Sequence, residues 1–149
     1  KGVAARYPAF DARTQTPITL EGRINRCRVE QQRLSDLDYE NTVLLALTAF
    51  IAHQSRGMPI AEPDPRLAPA VEAGRKLFVT RPGQLDLACT HCHDRHAGDR
   101  LAGIVMPEGH PTGYPIYRLE WQTMGSLQRR LRNCLSGMRA ENLPFGSPG

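Results

Sequence analysis

The apolar residues of this chain recur every three to four positions in four segments, which is the spacing that places them on one face of an α-helix. We expect helices over residues 20–33, 36–54, 69–79 and 126–138. The last of these is marked by leucines at every fourth position from Leu127. No segment alternates between apolar and polar positions as a half-buried strand does. The chain is therefore predicted to be all-α.

The segments between these helices are rich in residues that interrupt regular structure. The chain has 13 Gly and 12 Pro, and residues 1–19 and 94–118 are expected to be mostly loop. A hydrophobic content of 40% and a charged content of 23% are typical of a globular domain. The longest apolar run, residues 42–52, is about half the length of a membrane-spanning helix. We therefore expect a globular protein with no membrane span.

One motif, CTHCH at positions 89–93, carries recognisable chemistry. Cys-x-x-Cys-His is the attachment signature of c-type haem, in which two thioethers anchor the porphyrin and the adjoining histidine ligates the iron. We expect Cys89 and Cys92 to hold one haem c covalently and His93 to be its proximal iron ligand. Upstream, Gly74 and Phe78 resemble the glycine and the aromatic residue in the N-terminal helix of c-type cytochromes. There the glycine permits close helix crossing and the ring packs near the haem.

Two other kinds of site use similar residues. A zinc ion is the first alternative, although adjacent Cys92 and His93 fit poorly around one tetrahedron and no second Cys-x-x-Cys exists. Its four candidate ligands are Cys89, Cys92, His93 and His96. A thioredoxin-like dithiol is the second alternative, but it needs a βαβ surrounding that the pattern lacks. Haem is the favoured interpretation.

The sixth ligand of the iron decides between electron transfer and catalysis. The candidates are Met106, Met124, Met138, His96, His110 and Cys134. Met106 follows His93 by only 13 residues, which is a short path around the edge of a macrocycle. Cys134 is favoured because Arg130 lies one helical turn away, with Arg129 and Arg132 nearby. Cationic neighbours lower the pKa of a thiol, the thiolate is a good metal ligand, and guanidinium groups bind small oxyanions.

These arginines also bear on the partners of the protein. The net charge is +4, which is compatible with a small anion or an acidic protein. The positive charge is concentrated around a cysteine, and the sequence offers neither an aromatic platform nor a known nucleic-acid module. Nucleic acid is therefore rejected as a partner.

The sequence contains a weak internal repeat. Residues 20–27 (LEGRINRC) align without gaps on residues 127–134 (LQRRLRNC), with the leucine, one arginine and the cysteine retained. We therefore expect two cytochrome c-like units. Residues 1–60 are predicted to be a degenerate or truncated remnant of the first unit. Residues 61–149 are predicted to be the haem-binding unit, truncated at its C-terminus.

Three stretches resemble one known family. They are LEGRINRCR, GQLDLACTHCHDRHAGDRL and GYPIYRLEWQTMGSLQRRLRNCLSGMRAE, and the resemblance that they mark extends over nearly the whole chain. In this order they resemble SoxA, the catalytic c-type cytochrome subunit of the thiosulfate-oxidising Sox system. The resemblance implies a periplasmic L-cysteine S-thiosulfotransferase that couples thiosulfate oxidatively to a cysteine of the SoxYZ carrier. Electrons would leave through haem to a SoxX-type monohaem cytochrome.

The resemblance also implies roles for individual residues. Cys134 would be the distal iron ligand and the active-site cysteine, present in this family as a persulfide. Arg130 would orient thiosulfate. Cys27 would be either the axial ligand of a second haem or a disulfide partner. Two other functions stay open, namely a thiosulfate dehydrogenase that forms tetrathionate and a plain electron-transfer cytochrome c.

Overall fold

The computed structural model describes residues 2–147, which form short helices joined by loops and small hairpins. Five α-helices follow one another along the chain: α1 (Leu20–Gln32), α2 (Thr42–His53), α3 (Ala68–Val79), α4 (Cys89–His93) and α5 (Leu127–Gly137). Single 3-10 turns cover Ala4–Arg6 and Pro65–Leu67. The four helices predicted from apolar spacing are confirmed, whereas α4 was not expected.

Side-chain caps determine where two of these helices begin. The Thr19 hydroxyl accepts a hydrogen bond from the Gly22 amide at 3.1 Å, at the start of α1. The Asn41 side-chain carbonyl accepts one from the Val43 amide at 2.9 Å, so α2 begins at Thr42 rather than at residue 36 or 38. Each cap satisfies an amide that has no partner inside the helix.

The prediction that the chain is entirely α-helical is wrong in detail, because residues 2–147 also contain three antiparallel hairpins. Their strands are β1 (Ala9–Asp11) with β2 (Thr16–Ile18), β3 (Arg100–Leu101) with β4 (Ile104–Val105), and β5 (Ile116–Arg118) with β6 (Thr123–Gly125). Each strand has only two or three residues, which is too short for a period of two to show in the sequence. The first two hairpins lie in segments expected to be loop.

The described residues form two compact units that are interleaved along the chain. Unit 1 comprises the described residues up to Ala70 together with Tyr114–Ser126, and unit 2 comprises Val71–Gly113 together with the described residues from Leu127 onward. The cytochrome-type units expected over residues 1–60 and 61–149 stay a prediction. The ends of those two ranges, Lys1 and residues 148–149, lie outside the described residues.

The core of unit 1 is built around α2. Leu44 and Leu45 are 2% and 3% exposed. Thr48 is also buried, and its hydroxyl keeps a hydrogen-bond partner there because it donates to the Leu44 carbonyl oxygen at 2.9 Å. Beside this core, the buried Asp11 carboxylate forms an ion pair with Arg26. No helix within residues 2–147 is both long enough and apolar enough to cross a membrane.

Candidate functional site

The CTHCH motif forms its own short helix, α4, in unit 2. The preceding Ala88 is buried and extended, and its amide donates to His91 Nδ1 at 3.0 Å. His91 therefore supports the start of the helix. Cys89, Cys92 and His93 are spaced i, i+3 and i+4, so their side chains share one face of α4. All three are half-buried, and both thiols are free.

The His93 ring is oriented by a hydrogen bond to the main chain. Its Nδ1 atom lies 2.8 Å from the Pro107 carbonyl oxygen. A carbonyl oxygen only accepts hydrogen bonds, so the proton of a neutral His93 ring lies on Nδ1 and leaves Nε2 unprotonated. The hydrogen bond to Pro107 thus fixes the tautomer that a metal-ligating histidine requires.

A cavity of about 370 Å³ opens beside His93. Its lining consists of Phe78, His93, Asp94, Ala97, Glu108, Gly109 and His110. A Cβ placed on Gly109 would lie 3.4 Å from the Phe78 ring and 3.6 Å from the His93 Cβ, so the loop packs closely on both residues. Phe78 therefore lies beside the predicted proximal histidine.

Gly74, which resembles the glycine of a close helix crossing, takes part in no such crossing within the described residues. A Cβ added to Gly74 meets nothing within 4 Å, and α3 contains no buried residue. The glycine spacing indicated a helix that can be approached closely, but no described segment approaches it.

The structure brings Cys134 into the same unit as α4. Cys134 is half-buried and free on α5. The pKa of the Cys89 thiol is raised chiefly by burial, then by the electrostatic influence of Cys134, and to a smaller extent by that of Cys92. Cys134 therefore lies within electrostatic range of the first cysteine of the haem motif.

The arginines of α5 differ in what they do. Arg129 and Arg130 are half-buried, and Arg130 precedes Cys134 by one helical turn. The Arg132 guanidinium donates to the Leu143 carbonyl oxygen and lies 4.6 Å from the centre of the Phe145 ring. Arg132 thus holds the C-terminal segment against α5, which the sequence did not indicate.

The other candidates for the sixth ligand have separate local roles. Met106 closes the β3–β4 hairpin, because its amide donates to Asp99 and its carbonyl accepts from Gly98, both at 2.8 Å. His96 and His110 are 66% and 79% exposed, and each pairs with a nearby carboxylate.

Two methionines complete the candidates for the sixth ligand, and Cys27 is the separate candidate for a second haem or a disulfide. Met138 directly follows α5 in unit 2, and Met124 belongs to β6 in unit 1. Cys27 is exposed on α1, also in unit 1.

The zinc alternative finds no support in the arrangement of side chains. Within residues 2–147, no group of three or more His, Cys, Asp or Glu side chains is arranged to hold a metal ion. Cys89, Cys92, His93 and His96 therefore do not converge on one point.

Sequence reasoning missed two contributions from the main chain near the site. Met106-Pro107 was considered only for its thioether, whereas the Pro107 carbonyl is the group that reaches His93. Gly83, in the loop before α4, packs against the end of α5 and carried no motif that would single it out. Main-chain contacts of this kind depend on tertiary structure and leave no residue-type signal.

Comparisons with known proteins agree on one family. A family model described as the SoxA/TsdA cytochrome c domain matches residues 1–60. The L-cysteine S-thiosulfotransferase subunit SoxA of Pseudaminobacter salicylatoxidans is 37% identical over 143 residues, which cover 95% of this chain and 50% of that protein. The corresponding subunit of Allochromatium vinosum is 36% identical over 91% of this chain and 50% of that protein.

A solved structure extends the similarity to the fold. The crystal structure of SoxXA from P. pantotrophus contains a chain that matches with a TM-score of 0.91 and 31% identity. The match covers 99% of this chain and 56% of that one. The chain thus spans about half the length of the curated relatives it matches, and its fold is cytochrome c-like.

Proposed function

This chain belongs to the SoxA family of c-type cytochromes, and on that premise we propose that it is part of a haem enzyme of sulfur oxidation. The enzyme couples thiosulfate oxidatively to a cysteine of the SoxYZ carrier protein. Similar proteins bear the name L-cysteine S-thiosulfotransferase subunit SoxA, which describes a transfer to a cysteine.

One observation carries this proposal. Cys134, the predicted active-site cysteine, lies in the same compact unit as α4 and acts electrostatically on Cys89. That the predicted nucleophilic sulfur and the predicted haem-attachment residues share one unit supports the proposal.

The residues present fit a covalently attached haem. Two free thiols share one helix face with His93, whose Nε2 atom is available for iron. A cavity bordered by the Phe78 ring lies beside that histidine. Cys89 and Cys92 would hold haem c covalently, and His93 and Cys134 would ligate its iron. When bound, haem c supplies the redox capacity that accepts two electrons, one at a time.

The protein side chains supply binding and nucleophilic chemistry. The planar guanidinium of Arg130 binds the sulfonate oxygens of thiosulfate bidentately and directs its terminal sulfur towards Cys134. Cys134, as thiolate or persulfide, is the nucleophile. In the overall reaction, a sulfur–sulfur bond forms between thiosulfate and the carrier cysteine. The products are a cysteine S-thiosulfonate, one proton and two electrons.

The partners follow from this reaction. A SoxX-type monohaem cytochrome takes the electrons. This partner is in keeping with the structural match, which is to one chain of a SoxXA crystal structure. The periplasm is the proposed location, because c-type haem and the Sox assignment together point to that compartment. Cys27, exposed on α1, is proposed either to ligate a second haem or to form a disulfide in the intact protein.

The absorption and EPR spectra of the haem-loaded, full-length protein test the proposal. Wild type is compared with Cys134→Met and with Met138→Leu, which removes a competing sulfur ligand from the same unit. We expect a low-spin thiolate-type signal in wild type and in Met138→Leu, and its loss in Cys134→Met. A methionine- or histidine-type spectrum that is identical in all three proteins contradicts the proposal and indicates an electron carrier.

A carrier-dependence assay separates the proposed transfer from thiosulfate dehydrogenase activity. The SoxYZ-dependent reaction consumes thiosulfate only when the carrier is present. Tetrathionate formed at the same rate without carrier would identify a dehydrogenase instead.

A further inference from the structure

The loop before α4 touches the end of α5 through its main chain. A Cβ built on Gly83 would lie 2.1 Å from the Met138 carbonyl oxygen and 2.9 Å from the Ala140 nitrogen. Both neighbours are main-chain atoms, so no side-chain rotation relieves the overlap. Gly83 does not adopt a left-handed conformation. A glycine is therefore required at position 83 because the main chain of α5 comes so close, and not because the backbone needs a positive φ.

Hydrogen bonds on either side of Gly83 hold the same junction. The Gln84 amide donates to the Arg139 carbonyl oxygen at 3.3 Å, and the Leu85 amide donates to the Met138 carbonyl oxygen at 3.4 Å. The Met138 amide in turn donates to the Cys134 carbonyl oxygen at 3.0 Å. A continuous set of main-chain contacts thus connects the loop to the peptide of Cys134.

The loop is tied equally closely to the haem motif. The Asp86 amide donates to the Gly83 carbonyl oxygen at 3.0 Å and closes a turn. Ala88 is only 1% exposed and joins this turn to α4. Few residues separate the junction from Cys89, so little slack remains between them.

We propose that Gly83 is a positioning residue, whose missing side chain sets the distance between Cys134 and the haem-attachment helix. The inference rests on the proposed function, in which Cys134 and α4 act at one haem. An added methyl group would push the end of α5 away by roughly 1 Å before ordinary contact is restored. Misplacement of a reacting group by about 1 Å costs roughly 100-fold in rate.

The test uses the full-length, haem-loaded protein in complex with its partner cytochrome. Gly83→Ala is compared with Gly137→Ala, which adds the same methyl group to α5 at a position where it meets nothing within 4 Å. We expect Gly83→Ala to retain covalent haem and its helical circular dichroism, to lose most of the thiolate-type EPR signal, and to lose about 100-fold in carrier-dependent turnover. Gly137→Ala should keep the wild-type signal and turnover.

The EPR outcomes distinguish a failure of the positioning role of Gly83 from a failure of the proposed function. A thiolate signal in Gly83→Ala equal to that of wild type overturns the inference and leaves the proposed function standing. A wild-type protein without any thiolate signal overturns both.

Amide hydrogen exchange of the wild-type complex supplies a second measurement, which decides the matter if Gly83→Ala does not fold. The Gln84 and Leu85 amides should exchange as slowly as the Met138 amide, because all three hold one junction. Exchange at the rate of a free peptide would overturn the inference.

Discussion

The His93 Nδ1 atom and the Pro107 carbonyl oxygen lie 2.8 Å apart, although 14 positions separate the two residues in the chain. The hydrogen bond determines which nitrogen of the ring is left for a metal, and it ties α4 to the loop that follows the β3–β4 hairpin. In the proposed haem site, the same hydrogen bond would hold the His93 ring in the orientation needed to ligate iron through Nε2.

Replacing His93 separates attachment of the haem from its ligation. In His93→Ala, we expect the haem to remain covalently bound through Cys89 and Cys92, while the iron loses its proximal ligand and becomes high-spin. The pyridine haemochrome spectrum measures covalent haem, and EPR measures the spin state. His110→Ala is the matched control, because this exposed histidine borders the same cavity and should leave both spectra unchanged. A low-spin spectrum in His93→Ala would show that another residue ligates the iron.

Replacing Arg130 by lysine should weaken thiosulfate binding while the positive charge is retained. Lysine is a point charge and cannot make the two parallel hydrogen bonds of a guanidinium. We expect kcat/KM for thiosulfate to fall about 10-fold, which corresponds to about 1.4 kcal/mol. Arg132→Lys is the control, because the Arg132 guanidinium is held by the Leu143 carbonyl oxygen and the Phe145 ring. Equal losses of kcat/KM in the two variants would contradict a specific role of Arg130 in thiosulfate binding.

The ion pair between Asp11 and Arg26 should make unit 1 sensitive to acid. Hydrogen bonds from Arg26 and then from Thr14 hold the pKa of the Asp11 carboxyl far below its usual range. Its contribution to stability is complete above the unfolded-state pKa of about 3.9 and is lost as the pH falls below that value. We expect the melting temperature of wild type to drop more steeply between about pH 5 and 3 than that of Asp11→Asn.

The exposed Asp36 supplies the comparison for this titration. Asp36→Asn should keep the wild-type acid dependence, since its carboxylate lies at the surface. Parallel curves for wild type and Asp11→Asn would show that the Asp11 pair does not contribute to the acid sensitivity.

The core of unit 1 depends on Leu44. Leu44→Ala removes a side chain that is 2% exposed, and we expect a loss of about 2–5 kcal/mol in the free energy of unfolding. Phe50 lies on the same helix, but its side chain is 66% exposed. Phe50→Ala should therefore lower the free energy of unfolding by less than about 1 kcal/mol. Urea denaturation followed by circular dichroism measures both. Similar losses in the two variants would contradict the assignment of Leu44 to the core.

The helices could be predicted because each repeats an apolar pattern over several turns. α1, α3 and α5 begin and end within one residue of the predicted bounds. α2 begins later because Asn41 caps it, a choice between nearby polar residues that apolar spacing does not make. The hairpins escaped prediction because strands of two or three residues carry too little pattern.

The candidate site was predictable only where residue type determines chemistry. Cys89, Cys92 and His93 were recognised because haem attachment requires two thiols and a histidine at fixed spacing. Cys134 was singled out by its neighbouring arginines, and the structure brings it into the unit of α4. The Pro107 carbonyl and Gly83 contribute through the main chain, so their importance depends on distances that no sequence motif encodes.

The interleaving of the two units constrains how such a protein can be recombined. Residues 114–126 belong to unit 1, where the Ser126 amide donates to the Glu40 carboxylate, yet unit 2 residues flank them on both sides. A single genetic crossover near residue 70 would therefore join the N-terminal part of unit 1 from one parent to a hairpin from the other. Two parents could exchange a unit intact only through several coordinated crossovers, so the units are expected to be inherited together.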